Sequence, residues 1–297
     1  MNLRAEVNRL KKLAAARRVN PAAAANLDAL KSDPVAVLTR AGTTPDPWQS
    51  ALLLSRWTQA LLLASRQAGK SETSAAVALH QVLTVPGSLV LITAPSQRQA
   101  IEAFRKAADR YERLGRPVPG KVNATFMELA NGSRLIAVPG SERTIRGFSA
   151  VSLLVVDEAA RVPDALLAGL RPMLAVSGGR LLACTTAFGA RGWFYDAFTG
   201  SDSWYRLKVT ADQCKRIAPA FLEAERKALG ERFWKQEYFC SFEDAVGSLF
   251  STEDILGAVS DEPAFMEAGF SVPRSKVRSA EHERLKQEAL ASLGMPT

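Results

Sequence analysis

Gly69, Lys70 and Ser71 close an apolar run and open a segment of helix-forming residues, within the stretch LLLASRQAGKSE from Leu61 to Glu72. A strand, a tight turn and a helix start in that order aim backbone N–H groups at anionic oxygens. A lysine at position 70 would reach the β- and γ-phosphates of ATP, and the Ser71 hydroxyl would hold Mg²⁺. The full phosphate-loop pattern places Gly five residues before Gly69, where this chain has Ala64. A basic turn that meets no nucleotide fits the stretch as well. The second stretch is SLLVVDE, Ser152 to Glu158, an apolar run ending in two carboxylates. It reads as a strand buried on both faces, with acids at the edge where α/β sheets collect their sites. There Asp157 would bind Mg²⁺ and Glu158 would orient or deprotonate an attacking water. Helix capping explains either acid alone; the loop upstream makes the pair a site.

Three smaller groups surround these. Trp48 and Gln49 stand at the entrance of a helix in TPDPWQSALLL, and a planar amide can pair with both edges of adenine. A buried Trp beside a helix cap is the ordinary alternative. In the turn-rich loop PGSERTIRGFS, Arg143 or, preferably, Arg146 could approach a γ-phosphate of this subunit or a neighbour; a surface arginine fits too. Thr185 and Thr186 end the run GRLLACTT, where hydroxyls beside Glu158 would sense the γ-phosphate or simply cap the next helix.

These groups need a sheet to hold them. Apolar runs at Ser88–Ala94, Ser152–Glu158 and Gly179–Thr186 alternate with helical patterns, one of them from Gln97 to about Leu114. That alternation predicts parallel βαβ units. Asn131-Gly132 between apolar runs predicts a hairpin over Thr125–Val138, and Trp204–Val209 reads as a short strand. From Pro219 to Phe242 the pattern is helical, with Phe221, Leu222, Leu229, Phe233, Trp234, Tyr238 and Phe239 expected on buried faces. Met1 to Ala41 reads as basic and helical, interrupted at Pro21.

The fold class expected is therefore α/β, a mostly parallel sheet flanked by helices. It divides into a basic helical arm (1–43), an ATPase core (44–210), a helical lid (211–256) and a partly helical tail (257–297). At 297 residues the chain has room for one large domain with additions. A net charge of +8 favours polyanions, nucleic acid above all, though a generally basic surface would give the same sum. Three scattered cysteines fit neither disulfides nor zinc, and two histidines leave little for a histidine metal site or a triad. No apolar run approaches the roughly 20 residues of a membrane span, and the first residues lack the apolar core of a signal peptide. A cytoplasmic protein without a membrane partner is the expectation.

Taken together, SRQAGKS, RTIRG, LLVVDEAA, TTAFGARGWFY and FWKQEYFCSFEDAVGSLFS resemble the ATPase part of the large terminase subunit of tailed bacteriophages, along roughly residues 44 to 256. The resemblance implies a P-loop fold of the ASCE, RecA-like type and a motor that moves double-stranded DNA into a procapsid. It implies ATP and Mg²⁺, a homo-oligomeric ring, and portal protein and small terminase subunit as partners in the host cytoplasm. Position by position, Gln49 matches the adenine motif, and Arg66, Gln67, Ala68, Gly69, Lys70 and Ser71 the phosphate loop in its variant form with arginine. Asp157 and Glu158 match the metal and catalytic acids, Arg146 the arginine acting on a neighbour's nucleotide, and Thr185 and Thr186 the coupling motif.

Large terminases usually continue into a ribonuclease-H-like nuclease. After Ser251 the residues offer no succession of apolar strands, so no nuclease is expected here, and Asp254, Asp261 and Glu262 read as surface residues. A superfamily 2 helicase-like ATPase shares the loop and the acidic strand but needs a second RecA-like domain. A non-enzymatic scaffold descended from a packaging ATPase is the other alternative.

Overall fold

The structure, a computed structural model, describes residues 21–139 and 147–243. Among these residues eight strands form one sheet, in the order β3-β4-β5-β2-β6-β7-β1-β8. The strands are β1 (Gln59–Ala64), β2 (Leu89–Ala94), β3 (Gly120–Val122), β4 (Phe126–Leu129), β5 (Arg134–Pro139), β6 (Leu153–Asp157), β7 (Arg180–Thr185) and β8 (Tyr205–Val209). From β5 to β8 every pairing is parallel; β3 and β4 add an antiparallel margin at one side. The α/β class, the hairpin and each strand named above appear, whereas β3 was not anticipated. Three residues including a glycine carry no readable two-residue period.

Strand pleating divides the core. Ala60, Leu62 and Ala64 of β1 face one cluster with Val90, Ile92, Val155 and Leu182. Leu61 and Leu63 face the other with Leu91, Leu154, Val156 and Ala183. Side chains on a strand alternate between faces, and helices cover both, so nearly every strand residue must be apolar. Each buried leucine in these runs contributes about 1.5–3 kcal/mol.

On the first face lie α1 (Pro21–Ser32), α2 (Ala36–Thr39), α3 (Pro47–Leu54), α4 (Lys70–Thr84) and α5 (Gln97–Arg113). Helix α4 is buried almost throughout from Thr73 to Leu83, because it is sandwiched between the sheet and its neighbouring helices. Ser96 and Gln99 close a capping box that starts α5, whose Ala100, Ala103, Phe104, Ala107 and Tyr111 follow a helical stripe onto the sheet. Arg110 of α5 reaches back to the Glu72 carbonyl (3.0 Å) and carboxylate (3.1 Å), fixing α5 against the first turn of α4. Pro21 stands at the first described position of α1, where its fixed φ suits a helix start. Leu30, Val37, Leu38 and Ala41 then pack into the core beside α4. The second face carries α6 (Asp164–Leu170), α7 (Pro172–Ala175) and α8 (Trp193–Thr199).

Beyond β8, α9 (Pro219–Phe239) is two helical segments joined at Gly230, whose φ of 76° and ψ of 159° are not helical. The chain folds back there. Trp234 Nε1 donates to the Leu222 carbonyl at 2.9 Å, and Tyr238 packs edge-on to Phe221. Leu222 and Tyr238 are buried, but Phe221, Leu229 and Phe233 are exposed, contrary to the expectation for this segment. The reason is the break: one helical period does not run through Gly230, so only part of each segment's apolar face meets the other.

Candidate functional site

The residues expected to form a phosphate loop follow the buried end of β1. Gln67 (φ 60°) and Gly69 (φ 94°) take left-handed backbone, and α4 begins at Lys70. Glycine reaches that conformation without strain. A Cβ at position 69 would also press on Arg216 at 3.0 Å and Gln49 at 3.3 Å. Strand β6 delivers Asp157, and the turn after it puts Glu158 in left-handed backbone at φ 51°.

One strand, β7, separates β1 from β6. All three run parallel, so their carboxyl ends meet at one edge. There Lys70 Nζ lies 2.9 Å from Glu158 Oε1, and Ser71 Oγ donates to Asp157 Oδ2 at 3.0 Å. The lysine turn and the paired acids, far apart in the chain, therefore face each other. Burial alone would lower the Lys70 pKa, but Glu158 and Asp157 outweigh it and the ammonium is held above its ordinary value. Asp157 is buried, and its other oxygen accepts from the Cys184 thiol (3.4 Å) and the Glu158 N–H (3.1 Å). Burial first, and then Asp157, push the Cys184 thiol well up, which keeps it a donor.

Between the two stretches, the tip of β7 places Thr185 and Thr186. Thr185 Oγ1 accepts from the Ala160 N–H at 3.3 Å and donates to the Thr186 carbonyl at 2.8 Å. Arg161 joins this group from the turn after Glu158. Its Nη1 donates to Glu158 Oε2 at 2.7 Å and to Thr186 Oγ1 at 3.3 Å, while the guanidinium lies over the Phe188 ring. Glu158 is thus held by Lys70 through one oxygen and by Arg161 through the other.

The remaining expected residues sit nearby in different company. Arg66 points outward and pairs with Glu237 of α9 at 2.6 Å, an interaction that raises its pKa. Its backbone N–H also donates to the Glu237 carbonyl at 3.0 Å. Gln49 is buried with its amide engaged: Oε1 accepts from the Asp46 N–H (2.8 Å) and Nε2 donates to Thr73 Oγ1 (2.7 Å). Thr73 in turn donates to the Gly69 carbonyl at 3.0 Å, so the amide steadies the loop from below. The neighbouring Trp48 indole N–H is buried with no partner among the described residues. Arg143 and Arg146 lie outside the described residues, as do Asp254, Asp261 and Glu262.

Two arginines at this edge escaped the sequence reading. Arg161 had a signal: Glu158 and Arg161 stand three apart in DEAAR, and a 3₁₀ turn eclipses such positions. Arg216 had none. It bridges the Ala68 carbonyl and Asp46 (2.8 Å) across the phosphate loop, from a segment distant in the chain.

The oxygens of Ser71 and Asp157, adjacent at 3.0 Å, are hard donors of the kind Mg²⁺ accepts when it keeps most of its ligands as water and phosphate. No cluster of three or more His, Cys, Asp or Glu side chains suited to a metal occurs among the described residues. Two oxygens so placed would suit an Mg²⁺ that takes its other ligands from water and a bound anion.

Comparison with known proteins agrees with this geometry. The family model described as terminase large subunit, T4likevirus-type, N-terminal, matches residues 61–256. The terminase large subunit of Thermus virus P23-45 is 29% identical over 181 residues, 53% of this chain and 36% of that protein. That of Escherichia phage T5 is 25% identical over 239 residues, covering 76% and 54%. The chain therefore spans only about a third to a half of the lengths of these relatives. Among solved structures, the large terminase ATPase domain of Thermus Phage P74-26 superposes with a TM-score of 0.62 at 20% identity, covering 69% of this chain and 96% of that one. A large terminase from the thermophilic bacteriophage D6E gives 0.59 at 14%, covering 67% and 54%. The match to both is one of fold, the ASCE P-loop type, and in this chain β7 lies between the loop strand and the acidic strand. By its family match, the chain belongs to the terminase large subunits and carries their N-terminal ATPase-type domain.

Proposed function

We propose that this chain binds and hydrolyses ATP with Mg²⁺ and uses the free energy to translocate double-stranded DNA, as a subunit of a viral genome-packaging motor. The observation that carries the reading is the convergence of Lys70 on Glu158 and of Ser71 on Asp157 at a single sheet edge. Family membership and the existence of ADP and ATP-gamma-S complexes of the D6E large terminase support it.

In this reading Gly69 and its neighbours present backbone N–H groups to the phosphates, and Lys70 leaves Glu158 to neutralise the β- and γ-oxygens. Ser71 and Asp157 would hold Mg²⁺, which would supply charge neutralisation to the bound phosphates. Glu158, freed on one side and steadied by Arg161 on the other, orients and deprotonates the attacking water. Arg66 supplies the loop arginine, and Arg146 the arginine that reaches a neighbour's nucleotide in a homo-oligomeric ring. Thr185 and Thr186 couple the state of Glu158 to the helices near 215–245, which serve as a lid over a core of residues 44–210. The basic surfaces face DNA, portal and small subunit are the docking partners, nuclease chemistry is not assigned to this chain, and the motor works in the host cytoplasm. Among the described residues no helix is long and apolar enough to cross a membrane.

The test is DNA-stimulated ATP turnover of the wild type, Lys70→Ala and Glu158→Gln. Glu158→Gln is expected to lose about 10²–10⁴ in kcat while still binding nucleotide, and Lys70→Ala to lose binding. Equal rates in all three would discard the site.

A further inference from the structure

At the opposite end of the sheet from Lys70 and the acids, where β1, β7 and β8 begin, lies a cavity of about 910 Å³. Its wall includes the buried Leu52, Trp57 and Val77, and its rim carries Leu54 and Val85, which are 58% and 43% exposed. These two are large apolar side chains left in water beside a concave apolar surface, the setting in which binding sites form.

The cavity also holds a cation without a counter-ion. Arg180, the first residue of β7, lays its guanidinium over the Trp57 ring at 4.6 Å and donates from Nη2 to Gln81 Oε1 at 2.7 Å. Among the described residues it makes no ion pair, and none of the residues lining the cavity is acidic, while Arg56 adds a second cation at the rim. Burial lowers the Arg180 pKa with no carboxylate opposing it. The one acid felt nearby is Asp33, which acts on His80 and whose carboxylate accepts from the Val35 N–H. A half-buried guanidinium with donors unspent favours a carboxylate, since charge-assisted pairs are the strongest hydrogen bonds such a wall can make.

We propose that this cavity docks an acidic peptide segment of a partner protein, one apolar side chain entering against Leu54, Trp57 and Val77 and an adjacent carboxylate pairing with Arg180. Charge complementarity decides the occupant. A DNA backbone would satisfy the arginine but leave Leu54, Val85 and the Trp57 wall in water, because phosphates bring charge and no apolar surface. A peptide brings both, and the volume lies within the range of sites that bury compact ligands. Docking here leaves the nucleotide edge open, so both can be occupied at once.

The experiment is fluorescence anisotropy on the full chain with three labelled probes: a ten-residue peptide alternating glutamate with leucine and phenylalanine, the same peptide with lysine for glutamate, and a DNA duplex. The acidic peptide is expected to bind saturably in the micromolar range and to quench tryptophan fluorescence. Arg180→Gln should weaken it about tenfold or more, as loss of one partner of a charge pair does. Leu54→Asp, at an exposed rim position, should weaken it similarly with an unchanged thermal midpoint. ATP binding should be unaltered in both variants. Equal binding of the acidic and basic peptides, absence of saturable binding, insensitivity to Leu54→Asp, or displacement of the acidic peptide by the duplex would each overturn the proposal.

Discussion

Glu158 occupies a position in which two cations compete for one carboxylate, and in the proposed mechanism its action depends on which of them lets go. Lys70 at 2.9 Å and Arg161 at 2.7 Å hold different oxygens. Removing Arg161 should therefore misplace the acid without emptying the phosphate loop. For Arg161→Ala we expect kcat for ATP to fall about tenfold or more with KM little changed, since a group that only orients a general base acts on the chemical step. Arg161→Lys should restore part of the loss; a change confined to KM would place Arg161 in nucleotide binding instead. His80 gives a residue-scale prediction of a different kind. Burial lowers its pKa below the ordinary 6.5, with Arg180 lowering it further and the Leu30 carbonyl and Asp33 opposing. The unfolded chain then takes up a proton that the folded chain resists. Stability is full above about pH 6.5 and declines as pH falls from there towards the folded pKa. Thermal melts of wild type and His80→Gln between pH 7.5 and 5.5 should show the steeper decline in the wild type. That Lys70 and the acids would converge was legible at this scale, because the proposed phosphate chemistry dictates both residue type and spacing. Arg216 was not: its contact with the Ala68 carbonyl is made by tertiary folding across the whole core, which no local pattern encodes.

At the scale of elements, the strands were readable because both sheet faces are covered, so β1, β2, β6 and β7 are nearly continuous apolar runs. Helix α9 was legible as helix but not as shape. A glycine in a helical pattern is ordinarily tolerated, and nothing local announced that Gly230 would turn the chain. Its φ of 76° with ψ of 159° belongs to a region that only glycine occupies readily. Gly230→Ala has open space around the added methyl, so conformation alone decides its effect. We expect a loss of about 1–3 kcal/mol in urea denaturation. Phe233→Ser, at an exposed position of the same element, should stay within about 0.5 kcal/mol of wild type. Equal effects would mean that the segments pack differently.

For the whole molecule, charge and architecture act separately. The net +8 says nothing about fold but predicts that DNA association weakens steeply with salt and is indifferent to sequence. Binding of two unrelated duplexes between 50 mM and 200 mM salt should fall in parallel, and a duplex preference surviving high salt would point to base readout instead. The sheet itself was predictable in class but not in its margin, where β3 pairs with only three residues. At the far side, β8 carries Arg206 and Lys208, and the Arg206 guanidinium is tied to the Ala197 and Gly200 carbonyls. A rim this brief on one flank and this cationic on the other gives a foreign main chain little to zip onto. Copies of the molecule brought to high local concentration should accordingly meet through side chains and stay separable, instead of fusing into a continuous ribbon.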